Sequence, residues 1–184
     1  MKYFYIILLL SFVFSCKKNT IEPSLENDYT GEVTGMLNNI NWQAKGRGFT
    51  HENSNPGVQY SFSTYLDAPS GDYEVRVNSL TIKHIPLEEG TYLLQKENMI
   101  EDTFPTSTFF EVNQDAVEGV YELFEGNFPN EFIIDSYDSK TKEVEGRFQA
   151  SFILRDSSDK IASPHLEDTI LFRNCQYNVV IQSN

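Results

Sequence analysis

The chain has 184 residues and carries 27 acidic against 14 basic side chains, a formal charge of −13. That length suits a single domain with enough residues to bury a core. The acidic balance argues against nucleic acid, whose binding rests on neutralising phosphates with Lys and Arg; it fits a solvated surface or a basic protein partner.

The first stretch addresses location. Lys2 is followed by an apolar run over residues 4–14, and then by Val13-Phe14-Ser15-Cys16. A charged start, a short apolar segment and a small residue before the cut describe a secretory signal. The run is too short to cross about 30 Å of hydrocarbon, and Lys17-Lys18 follows at once, which disfavours both an uncleaved anchor and a buried strand. A Cys directly after the small residue marks a lipoprotein signal, so Cys16 is the expected lipidation site. Each buried methylene contributes about 0.8 kcal/mol, and two or more acyl chains hold a soluble domain stably on a membrane. The expected division is a signal peptide at 1–15, lipidated Cys16 with a tether at 16–30, and a single β domain at 31–184. Ile21 and Leu25 are the only aliphatic residues of the tether, too little to bury.

The fold is expected to begin near Gly31. Val33, Gly35 and Leu37 form one alternating series, and Ile40, Trp42 and Ala44 another. Asn38-Asn39 between them tolerates φ > 0 and predicts a tight two-residue hairpin. Trp42, the single Trp, reads as the core plug of that hairpin or as a ligand-stacking ring. Residues 47–57 read as a loop by composition. Val58, Tyr60, Phe62, Thr64 and Leu66 alternate as a half-buried strand with one wet face. A turn is expected at 67–72. Extended structure resumes over 73–85, with an apparent phase slip at Asn78-Ser79 that suggests a bulge or two strands. A turn at 86–90 precedes a short strand at 91–94.

Residues 95–108 are the least regular. Over 109–124 both a helical and an extended spacing fit, and Gly119 with the β-rich surroundings favours a strand. The clearest pattern follows a strand at 132–137 and a turn at 138–142. Val144, Gly146, Phe148, Ala150, Phe152 and Leu154 form one face of a long antiparallel strand. A loop at 156–168 leads to strands at 169–172 and 177–181. About eight to ten short strands without an amphipathic helix predict an all-β chain, an antiparallel β-sandwich or flattened barrel.

Several of these motifs occur together in a known group. The Ser-Cys-Lys-Lys ending, Trp42-Gln43-Ala44 in an early hairpin, Gly90-Thr91-Tyr92 opening a strand, Ile134-Asp135-Ser136-Tyr137-Asp138 and Val144-Glu145-Gly146-Arg147-Phe148 together resemble the small secreted lipoproteins of Bacteroidota with an all-β domain of unknown function. The resemblance implies an outer-membrane anchor and brings no activity. Two features depart from it. Cys175 follows Asn174 where such proteins tend to carry Asn-Gly, which puts a tight turn there in doubt. Lys17-Lys18-Asn19 replaces the acidic run of surface-displayed members, which tilts the location toward the periplasmic face.

Residues for chemistry are sparse. His51, His84 and His165 are isolated, so no metal site and no cofactor is expected. Asp135 and Asp138 lack the spacing of a calcium loop, and Asp138 reads as a turn former. No nucleophile elbow or phosphate loop occurs. Cys175, left alone once Cys16 carries lipid, reads as a small buried hydrophobe. Phe104, Phe109, Phe110, Phe124 and Phe128 would form a ligand-contact patch with Trp42 if they shared an exposed surface; otherwise they cap one end of the fold. The expectation is a lipid-anchored, non-catalytic binding or envelope-associated module with a protein or glycan ligand. An acidic inhibitor or immunity-type protein and a hydrolase are the alternatives.

Overall fold

The alternating series become ten strands: β1 (Gly31–Leu37), β2 (Ile40–Thr50), β3 (Val58–Leu66), β4 (Arg76–Ile85), β5 (Gly90–Leu93), β6 (Thr106–Asn113), β7 (Ala116–Leu123), β8 (Glu131–Tyr137), β9 (Glu143–Leu154) and β10 (Thr169–Ser183). The computed structural model describes residues 29–50, 57–66, 76–97, 104–113, 116–155 and 166–183. The expected signal, Cys16 and nearly all of the tether lie outside the described residues. So do the turn at 67–72, His51, His165 and most of the loop at 156–168.

The strands close on themselves. β1 pairs with β2, and β2, β3, β4, β6 and β7 follow as antiparallel neighbours; β7 pairs with the end of β9, β9 with β10, and β10 with β1. This is an eight-membered up-and-down ring, the flattened-barrel form of the expected all-β fold. β8 pairs with the first half of β9, and β5 pairs with β8, so a two-stranded ribbon completes the wall at one end. Beyond the start of β1, β10 and β2 pair directly and in parallel through Ile181–Ser183 and Gly48–Thr50. In such a meander the last residues of β1, β3, β6 and β9 and the first residues of β2, β4, β7 and β10 lie at one end of the barrel.

Register stacks the inward side chains in layers. Phe62, Leu80, Phe109 and Tyr121 are successive cross-strand neighbours, and Tyr60, Ile82 and Ser107 form the next layer. Phe148 sits at the centre. Its ring stacks on Phe62 (5.4 Å between centroids, 21°) and Phe132 (6.2 Å, 19°) and meets Trp42 edge-on (6.5 Å, 81°). Tyr177 lies 4.7 Å from Phe132, and its hydroxyl donates to the Ile133 carbonyl at 3.0 Å. This contact needs Gly146, because a Cβ there would collide with that same carbonyl and with the Tyr177 ring.

The Asn38-Asn39 turn forms as expected, with φ of 47° and 67°. Asn38 also closes the barrel's end: its backbone N–H donates to the Leu171 carbonyl, its Oδ1 accepts from the Leu171 N–H at 2.7 Å, and its Nδ2 donates to the Thr169 carbonyl at 3.1 Å. Asp138 shapes its turn in the same manner, accepting from the N–H groups of Lys140 (2.7 Å) and Thr141 (3.3 Å). Those bonds hold its carboxyl below the usual range.

Four expectations need correction. Residues 47–50 belong to β2, because Gly46 and Gly48 take inward positions beside Phe62 and Tyr60. Ile40 is 72% exposed, since the tight turn lifts it beyond the barrel's rim. β4 pairs with β6 without a break through Asn78-Ser79; its irregularity falls at Lys83-His84, where His84 has φ of 61°. Asn174 makes no turn. It is a bulge within a continuous β10, at φ 50°, so that Phe172 and Cys175 both face inward.

Phe148→Ala is expected to destabilise by about 3–5 kcal/mol, the cost of emptying a large core position; an unchanged denaturant midpoint would show that this face is not the core. In the turn, Asn39→Gly is expected to be neutral or stabilising because glycine suits its φ. Asn38→Gly should cost about 1–2 kcal/mol by removing its side-chain bonds, and the pair of midpoints checks the contrast.

Candidate functional site at one mouth of the barrel

The aromatic residues singled out from sequence separate in space. Phe109 is in the core, 5.4 Å from both Tyr121 and Phe172 by ring centroids, and so contacts no outside ligand. Alternation along β6 sends Phe110 to the other side of the wall, where it is half-buried. Phe104 and Phe124 are exposed, and Phe128 lies under the Arg173 guanidinium, 5.6 Å from its ring centroid. The five Phe therefore do not make one surface.

Trp42 is part of the core and also borders a cavity. Its ring packs edge-on against Phe172 at 4.8 Å, and it also lines a cavity of about 450 Å³ at the end of the barrel marked by the Asn38-Asn39 turn. Leu37, Ile40 and Leu166 contribute aliphatic surface to that cavity, and Thr64 and Asn78 contribute polar groups from deeper in the wall. The register explains why the polarity lies there. Thr64, Asn78, Glu111 and Gly119 are successive cross-strand neighbours, one layer above Phe62, Leu80, Phe109 and Tyr121. The inner surface therefore changes from aromatic to polar within one strand step.

These polar groups are deeply placed. Asn78 is 5% exposed, Glu111 2% and Glu118 5%. Glu118 is the additional residue where β7 bulges between the Glu111–Gly119 and Val112–Val117 pairs. Among the described residues, Trp42 Nε1, Asn78 Oδ1 and the Tyr121 hydroxyl have no hydrogen-bond partner. A buried polar atom left without one costs about 1–3 kcal/mol. Burial pushes the Tyr121 phenol up to about 12, and the negative charges of Glu111 and Asp168 add to the effect.

Indole and carboxamide groups donate and accept hydrogen bonds but neither attack nor titrate at ordinary pH. Thr64 is engaged, its hydroxyl donating to the Gln43 carbonyl at 3.1 Å, and Glu167 at the rim accepts from Asn38 at 3.4 Å. The arrangement is suited to holding an amphipathic small molecule. Cavities of this size that combine apolar walls with a few convergent polar atoms are the usual form of ligand sites.

A second groove of about 470 Å³ runs outside the barrel over β1, β10, β9 and β8. Arg147 pairs with Asp135 at 3.5 Å, and the uncharged Asn178 donates through Nδ2 to Glu143 (2.7 Å) and Glu145 (3.2 Å), so with Glu32 the groove's lining is net acidic. Cys175 is buried against Gly35, and burial raises its thiol from 9.0 to about 12. It behaves as a core residue.

Asn78, Glu111, Glu118 and Tyr121 were not singled out from sequence. One signal was available: the break in apolar alternation at Asn78-Ser79, which is an inward polar residue in a regular strand. No protein-family model, curated protein or solved structure matches this chain.

The raised groups predict an alkaline limit to stability. Cys175 and Tyr121 ionise near 9.0 and 10.0 when unfolded and near 12 when folded, and burial also raises Tyr60 and Tyr177. Their contribution is complete below about pH 9 and falls as pH rises toward 12, because the unfolded chain releases its protons first. Denaturant midpoints across pH 8–12 check this. Iodoacetamide should leave native Cys175 unmodified at pH 8 and label it after unfolding.

Proposed function

We propose that this protein is a lipid-anchored, non-catalytic binding module of the cell envelope, held in the outer membrane by acyl chains on Cys16, with its barrel on the periplasmic face. The sequence features that support the anchor are the short apolar run, the small residue before Cys16 and the resemblance to Bacteroidota lipoproteins. The observation that carries the binding reading is the mouth of the barrel: a cavity of about 450 Å³ whose lining combines Leu37, Ile40, Trp42 and Leu166 with Thr64 and Asn78. Eight-stranded barrels have room inside for packed side chains or for one small ligand. Here the packed layers occupy the middle and the cavity lies above them.

A second reading is an acidic inhibitor or immunity-type protein. It draws support from Glu32, Asp135 and Glu145 lining the outer groove, and it requires binding to a basic protein that weakens as salt rises. A hydrolase needs a nucleophile or general base aimed at the substrate, and the indole and carboxamide at the mouth serve neither purpose.

Replacing Cys16 with Ser is expected to move the protein from the membrane to the soluble fraction. Continued retention on membranes would sink the anchor. Capture from native envelope extract with the wild-type chain should recover a small molecule rather than a salt-sensitive basic protein; the latter outcome would favour the inhibitor reading.

A further inference from the structure

The lining of the mouth narrows the chemistry of what it holds, a step that rests on the binding-module reading. Leu37, Ile40, Trp42 and Leu166 are the apolar part of that cavity of about 450 Å³. Ile40 is 72% exposed, and Leu37 and Leu166 are half-buried, so aliphatic surface is open to an entering molecule. Every other described residue of the lining carries an uncharged amide or hydroxyl, with one exception, Glu167.

Leu166 and Glu167 are consecutive, so one short piece of chain ahead of β10 brings an apolar wall and a carboxylate to the same rim. The carboxylate is located by its neighbour. Glu167 Oε2 accepts from Asn38 Nδ2 at 3.4 Å, and Asn38, which also lines the cavity, is fixed by its bonds to Leu171 and Thr169. Glu167 is exposed, and among the described residues it has no cationic partner. An anionic head would meet a like charge there, on a chain whose formal charge is already −13. An uncharged head would leave the carboxylate to water. We propose that the mouth binds a cationic amphiphile, its aliphatic tail against Leu37, Ile40, Trp42 and Leu166 and its ammonium head at the rim on Glu167.

The two halves of such a ligand contribute unequally. Each methylene taken out of water tightens binding about fourfold, whereas an exposed ion pair contributes only about two- to fivefold. The tail therefore sets the affinity, and the head decides between amphiphiles of equal length. Added salt should erode the preference for the cation and leave the dependence on tail length unchanged.

The test uses the soluble full chain carrying Cys16→Ser at neutral pH, with octylammonium, 1-octanol and octanoate as probes of equal length. Calorimetry gives the affinities, and emission from Trp42, the single Trp, reports occupancy of the cavity. The expected order is octylammonium, then octanol, then octanoate, with about fivefold or more between first and last. Hexylammonium should bind roughly tenfold more weakly than octylammonium. Glu167→Gln keeps an oxygen for Asn38 and should bring octylammonium down to the affinity of octanol, while octanol affinity and the melting temperature stay unchanged. Glu145→Gln in the outer groove should leave all three affinities as they were, which separates the rim carboxylate from general attraction to an acidic protein. Equal affinity for octylammonium and octanoate, a preference that survives Glu167→Gln, or an equal loss in Glu145→Gln would each overturn the assignment. Octanol binding without preference for the cation sinks this ligand class and leaves the binding-module reading standing. No saturable response to any probe also sinks the class, and the reading falls with it if envelope capture recovers no small molecule.

Discussion

The molecule depends on one seam, the laying of β1 against β10. A meander of strands is an open sheet with two exposed edges until its first and last strands pair, and closure removes the edges. The seam holds only because β10 changes phase partway along. A strand of 15 residues with strict alternation would turn half of its apolar side chains outward after any mismatch with its neighbours. The bulge at Asn174 absorbs one residue, so that Phe172 and Cys175 both reach the interior and Tyr177, Val179 and Ile181 continue in phase. Gly35, opposite Cys175, leaves room for the thiol where any Cβ would strike it.

How much of this could be read beforehand depends on what each strand does with its inner face. β9 was legible from end to end because its inner positions are all apolar or small, and apolar alternation is the signal that sequence reading detects. The first hairpin was legible because Asn38-Asn39 is a turn with a backbone reason. The reading failed where inner positions are not apolar. Gly46 and Gly48 made the end of β2 look like a loop, though their missing side chains make space for Phe62 and Tyr60. Asn78 made β4 look broken, though its backbone runs on undisturbed. The same cause hid the candidate site, since a polar residue facing inward cannot be told from one facing outward by hydrophobic pattern alone. Phe109 and Phe110 show the converse, adjacent aromatics of equal hydrophobicity sent to opposite sides of one wall.

The interior is accordingly uneven. Around Phe148 aromatic rings contact one another at several angles, and the hydroxyl of Tyr177 has an acceptor in Ile133. One layer above Phe62 and Phe109, asparagine and glutamate stand in the same inward positions. The middle of the barrel is therefore packed ring against ring, and the layer toward the Asn38-Asn39 end is polar.

The direction in which the chain enters the barrel has a consequence for orientation. β1 starts at Gly31 at one pole and reaches the Asn38-Asn39 turn at the other, a rise of roughly 24 Å at about 3.4 Å per residue. The start of the barrel at Gly31 and the cavity beside the Asn38-Asn39 turn therefore lie at opposite poles, one barrel height apart.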